Sequence, residues 1–99
     1  MVNVCTKLHG LIMTGINQEI RNRIRLSVAA YAYEFEDDSI MGDTEFDSLA
    51  RSINVAEKTG HKKLDSFFKK HFMPDTGMWI RNHPDLSGIK FIYETYYKK

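Results

Sequence analysis

Ninety-nine residues with 42% hydrophobic content bound the chain to one domain with a modest core. Fourteen Lys and Arg against thirteen Asp and Glu leave a formal charge of +1, so the net balance holds neither a basic nucleic-acid footprint nor an acidic DNA mimic. Cys5 alone cannot form an internal disulfide, and no apolar run is long enough for a signal h-region or a membrane span, so a cytoplasmic protein of a reducing compartment is expected.

In chain order, Val2, Val4, Leu8, Leu11, Ile12 and Met13 fit either a short helix or an extended arm. Between Asn17 and Asp37, Ile20, Ile24, Val28, Tyr31 and Phe35 recur at helical spacing, with Asn17 as the expected N-cap and Gly15 outside it. Gly42 supplies a turn. Asp43 then caps a short helix to about Ile53, whose Phe46, Leu49, Ala50 and Ile53 make one apolar stripe. Asn54, Lys58, Thr59 and Gly60 read as a loop. A third helix begins near His61, turns Leu64, Phe67, Phe68, His71 and Phe72 inward and is stopped by Pro74. Asp75, Thr76 and Gly77 read as a turn, and Met78, Trp79 and Ile80 as an apolar plug. Pro84 and Asp85 open a last helix to about Tyr97, with Leu86, Ile89, Ile92, Tyr93 and Tyr96 inward. Period-two alternation is too weak for a sheet. The expected fold is all-α: a small helical domain over residues 1–99, with a long-helix/short-helix antiparallel hairpin at about 17–53 and two further helices at about 61–97.

The run from Tyr33 to Leu49 is the most specific segment. It resembles the nicotinamide-reading hairpin of the N-terminal Ia subdomain in bacterial NAD-dependent DNA ligases, roughly Tyr-[His/Tyr]-x-x-Asp-x-Pro-x-Ile-x-Asp-x-Glu-Tyr-Asp-x-Leu. Tyr33, Asp37, Asp43, Glu45, Asp47 and Leu49 match, whereas Glu34, Ser39, Met41 and Phe46 depart from it. The resemblance implies stacking of nicotinamide between Tyr33 and Phe46, with Asp43 and Asp47 as acceptors one helical turn apart. It makes NAD or nicotinamide mononucleotide the implied ligand, although Glu34 in place of His or Tyr would repel a phosphate. The bland alternative is that Tyr33 and Phe46 pack the hairpin and Asp43 only caps a helix. The chain is too short for the ligase nucleotidyltransferase fold. Lys63-Leu64-Asp65-Ser66, close to an adenylation motif, therefore reads as a chance match on a helix.

Charge is segregated. Residues 34–47 carry seven acids and no base, and residues 58–70 carry five Lys and one acid. Either these blocks pair across the surface, or the acidic turn (Glu34, Glu36, Asp37, Asp38) meets a basic partner. His9, His61, His71, His83 and Cys5 lack zinc spacing, and residues 37–48 fail as a calcium loop at Met41 and Ser48, so no metal site is expected. His83-Pro84-Asp85 matches the J-domain co-chaperone tripeptide, but a helix start accounts for it. Tyr93, Tyr96 and Tyr97 with Lys98 and Lys99 do not form a stripe with the basic residues, so nucleic acid is disfavoured. No catalytic residues are expected. The leading expectation is a non-enzymatic interaction protein that modulates or inhibits a host or defence enzyme; in size and style it is similar to small accessory proteins of phages and mobile elements. The alternative is a binder of NAD or nicotinamide mononucleotide.

Overall fold

The computed structural model describes residues 10 to 98, with side chains from Gln18 onward; the expectations for Cys5, His9 and the rest of the first nine residues lie outside the described residues. Every regular element among the described residues is helical: α1 (Gly10–Glu36), α2 (Asp43–Ser52), α3 (Lys62–His71), a 3₁₀ turn (Met78–Asn82) and α4 (Leu86–Tyr96). The expected all-α fold is therefore observed. No helix among the described residues is long and apolar enough to cross a membrane.

α1 starts at Gly10, seven residues before the expected cap at Asn17. Gly15 costs a helix about 1 kcal/mol relative to Ala but does not stop it. Arg21, Arg23 and Arg25 consequently lie well inside α1, beyond the first turn where the macrodipole would oppose them.

The middle of α1 is the axis of the molecule. Leu26, Ser27, Val28, Ala29, Ala30, Tyr31 and Ala32 are all buried, because α4, the 3₁₀ turn and α2 pack around this stretch. Four of the seven are Ala or Ser, which lets these neighbours approach closely. α3 adds a layer on the 3₁₀ turn, where Phe67, Phe68 and Phe72 surround Trp79 at centroid distances of 6.0, 5.4 and 5.1 Å. Aromatic pairs at such separations add roughly 0.5–1.5 kcal/mol beyond burial.

Three residues expected to face inward are exposed, among them Met78 of the apolar plug, at 59%. Phe35 is 42% exposed, since α1 is enclosed only through Ala32. Tyr96 is 74% exposed. Tyr93 already reaches the chain beyond α1 through its hydroxyl on Asp38, 2.6 Å, which leaves the residues after it little of α1 to pack on. Ile20 and Ile24 are half-buried flanks of the core.

The helix ends position the site. Asp37 takes the left-handed conformation, φ 52, which Asp tolerates better than most residues. Asp38 N–H then folds back onto the Ala32 carbonyl at 3.0 Å. α2 is capped by Gly42 in extended geometry and not by Asp43. With helical dihedrals itself, Asp43 makes no capping hydrogen bond, and its negative charge instead favours the first turn of the helix. Asp85 caps α4 by accepting from Gly88 N–H at 3.1 Å. His83 Nδ1 accepts from Asp85 N–H at 2.9 Å, so the His-Pro-Asp run here builds a helix start.

Candidate functional site

A cavity of about 300 Å³ opens at the hairpin. Its floor is Ala29 and Ala30 of α1, with Phe46 of α2 and Gly77 of the loop before the 3₁₀ turn on its walls. Tyr33, Ile40 and Met41 line it from the α1 end and the turn, and three carboxylates, Glu34, Asp43 and Asp75, line it from three segments. The room follows from small side chains: a Cβ on Gly77 would stand 3.5 Å from Ala30 Cβ and 3.7 Å from Phe46 Cζ.

Of the four residues expected to hold a ligand, the fold gathers Tyr33, Asp43 and Phe46 around this cavity. Asp47, one turn further along α2, is exposed and does not line it. Tyr33 is 65% exposed at the cavity while Phe46 packs partly against the core. Asp75, Thr76 and Gly77 had read only as a turn, and Ala29 and Ala30 only as helix formers. Ala29, Ala30 and Gly77 contribute space, for which a residue pattern gives no direct signal, and Asp75 contributes a carboxylate.

The acidic turn is built differently from the freely available patch that its charge density suggests. Glu34 accepts from Arg81 at 3.1 Å, and Glu45 accepts from Arg25 at 3.1 Å. Glu36 accepts from the Tyr31 hydroxyl at 3.0 Å, and Asp38 from that of Tyr93. Burial and then the Glu36 contact push the Tyr31 phenol up to about 12, and the Asp38 hydrogen bond followed by burial does the same for Tyr93. No ion pair among the described residues joins this segment to Lys62, Lys63, Lys69 or Lys70, so the two blocks do not neutralise each other across the surface. Asp37, Asp43, Asp47 and Asp75 have no ion-pair partner among the described residues.

The cavity lining carries no Lys, Arg or His. Arg81 offsets Glu34 from outside it, which leaves Asp43 and Asp75 to set a negative local field. Aromatic faces beside uncompensated carboxylates suit a cation and oppose a phosphate.

The remaining motifs have structural roles. Asp65, within the adenylation-like run, accepts from Arg23 at 2.8 Å and from the Thr59 hydroxyl at 2.6 Å, and Lys63 is exposed on α3. His83 is buried against the Phe67 ring at 5.0 Å, and burial pushes its pKa down to about 4. Among the described residues no three His, Cys, Asp or Glu converge on a metal position. No protein-family model, curated protein or solved structure matches the chain.

Proposed function

We propose that the chain is a non-enzymatic interaction protein, of the kind with which phages and mobile elements modulate or inhibit a host or defence enzyme, and that the hairpin end of α1 is its docking surface. The observation that carries this reading is the gathering of exposed aromatics around acid. Tyr33 and Phe35 are exposed at the end of α1, and Asp38, Ser39 and Ile40 share a second depression with the exposed Tyr96 and Tyr97. Ser39 and Ile40 also line the first cavity, so the two depressions lie on either side of the same turn. Interfaces are enriched in such aromatic side chains, and an acidic setting steers a basic partner. The test immobilises the parent and Tyr33→Ala proteins in extract of the native host, then purifies any protein held only by the parent and measures its affinity for both. A set of retained proteins indifferent to Tyr33→Ala would end the reading.

A second reading has one specific support. Tyr33, Phe46 and Asp43, which the ligase resemblance assigns to nicotinamide, do line one cavity. A nucleotide phosphate there would meet Glu34, Asp43 and Asp75 with no basic lining residue. Calorimetry with NAD and nicotinamide mononucleotide decides it, and absence of heat with both retires it.

A further inference from the structure

The molecule already binds arginine side chains twice within itself, each time in the same way. Arg23 lies over the Phe68 ring, 5.2 Å from its centroid, with its donors on Glu19 and Asp65 at 2.7 and 2.8 Å. Arg81 lies over the Phe35 ring at 5.3 Å, with its donors on Glu34 at 3.1 Å. The physics is general: a guanidinium is planar, weakly hydrated and always charged, so its face stacks on an aromatic ring while its edge donates to carboxylates.

A third set of such groups lines the hairpin cavity: the aromatic side chains of Tyr33 and Phe46, and the carboxylates of Asp43 and Asp75. No arginine of this chain is paired with either carboxylate among the described residues. We propose that this cavity receives an arginine side chain projected by the protein partner, an assignment that rests on the docking reading above and names its anchor.

Size, charge and setting select this occupant. About 300 Å³ is at the small end of ligand pockets, which run to roughly 1,000 Å³. It has room for one long side chain, with the aliphatic stem against Ala29 and Ala30, whereas a dinucleotide overhangs. Carboxylates from two different segments match a fork of donors better than the single strongly hydrated ammonium of lysine. The cavity also adjoins the aromatic surface that the partner would cover, and a central buried anchor with a polar rim is how such interfaces concentrate affinity.

Gly77→Leu supplies a plug. Gly77 has φ −101 and ψ 3, open to any residue, and its added Cβ makes only ordinary contacts, so the branch beyond it occupies the cavity without straining the backbone. The probe is N-acetyl-arginine amide, titrated while backbone amide shifts are followed, beside the lysine and norleucine analogues. Shifts centred on Ala30, Phe46 and Gly77 are expected, with the arginine probe bound about fivefold tighter than the lysine one. Gly77→Leu should abolish the response. The pair Asp43→Asn with Asp75→Asn should weaken it about tenfold, and serves as the test if the plug lowers stability. Shifts elsewhere, equal binding of arginine and lysine, or a response that survives both variants would overturn the assignment. The two readings fail separately. A captured partner that needs Tyr33 yet binds Gly77→Leu unchanged leaves docking intact and removes the arginine anchor. Arginine binding in the cavity without any Tyr33-dependent partner removes docking instead. Sedimentation showing a dimer that Gly77→Leu dissolves would make the occupant a second copy, overturning the partner assignment.

Discussion

Arg23 is fully buried, and its replacement by Met should be among the most damaging single changes in the chain. The guanidinium makes four hydrogen bonds: to Glu19 at 2.7 Å, to Asp65 at 2.8 Å, and to the Asn54 and Glu57 carbonyls at 2.7 and 3.1 Å. It thereby fastens α1 to α3 and to the loop between α2 and α3. Met fills much of the volume, so the loss isolates the polar contacts from packing. Glu19 would then keep only Asn54 N–H, and Asp65 only Thr59. Removing one partner of a buried ion pair costs about 3–5 kcal/mol. The lower half of that range fits here, because the Asp65 side chain retains 19% exposure and thus some hydration. Against a total stability of about 5–15 kcal/mol, the loss brings the fold close to its threshold. The melting temperature should fall by about 12 °C or more. Urea unfolding followed by helical circular dichroism measures the change. Arg23→Lys should be intermediate, since one ammonium cannot serve carboxylates and carbonyls on three sides. A loss below about 1 kcal/mol would refute the account. So would a cycle of Arg23→Met with Asp65→Asn that is additive within about 0.5 kcal/mol, because a shared network must couple the two. Acid gives an independent check. Burial alone would raise the Asp65 pKa, but the Thr59 hydrogen bonds and then Arg23 outweigh it and hold the carboxyl below its usual 3.8. A depressed carboxyl stabilises the fold above its unfolded value, and that contribution disappears as pH falls through the folded one.

Three further outcomes follow from the same geometry. His83, ordinarily 6.5 and about 4 when folded, leaves the unfolded chain binding more protons in that interval; stability should therefore decline as pH drops from 6.5 to about 4, and His83→Gln should flatten the urea midpoint across it. Tyr31 and Tyr93 lie above their usual 10.0, so their contribution is complete below pH 10 and is lost as pH rises through about 12; a phenolate absorbance titration should show two late tyrosines, with Glu36→Gln advancing Tyr31 and Asp38→Asn advancing Tyr93. Asp43→Ala should cost no more than the helix-dipole contribution of about 0.3–1 kcal/mol, and Asp43→Ser should recover none of it, because Gly42 holds the cap; a full recovery in thermal melts would place the cap back on Asp43.

The helical period made most of the fold legible. The α2 stripe of Phe46, Leu49, Ala50 and Ile53 and the α3 stripe of Leu64, Phe67 and Phe68 do meet the core. What the pattern misplaced came from environment that it does not encode. A helix enclosed on several sides buries every residue of a turn, so the period in α1 between Ile20 and Phe35 marked a face where the structure has a belt at 26–32. Arg23 alternates with the exposed Arg21 and Arg25; its Glu19 partner is at local helical spacing, but the other three are 31 to 42 positions later, beyond reach of local spacing. Tyr33, Asp43 and Phe46 line one cavity and Asp47 does not, and the other half of the cavity arrives from Asp75 to Gly77, separated from the hairpin by the whole of α3.

The acids of residues 34–47 show why charge density alone misjudges a surface. Read as a line, seven carboxylates without a base call for compensation, from the Lys-rich block or from a basic partner. Read in the structure, Glu34 and Glu45 have arginines, and Glu36 and Asp38 accept from tyrosine hydroxyls that tie the end of α1 to itself and to α4. Reversing the charge of Glu36 and Asp38 would therefore act on folding before it acted on any partner. Charge substitutions that report on docking must fall on the carboxylates without internal partners. Asp37 is a poor choice, because its left-handed backbone makes most replacements strained. Asp43, Asp47 and Asp75 remain, and of these Asp43 and Asp75 line the cavity while Asp47 serves as a control outside it. Two of the four carboxylates left over once the fold has met its own needs thus stand beside Tyr33 and Phe46, where a cation entering the hairpin would meet them.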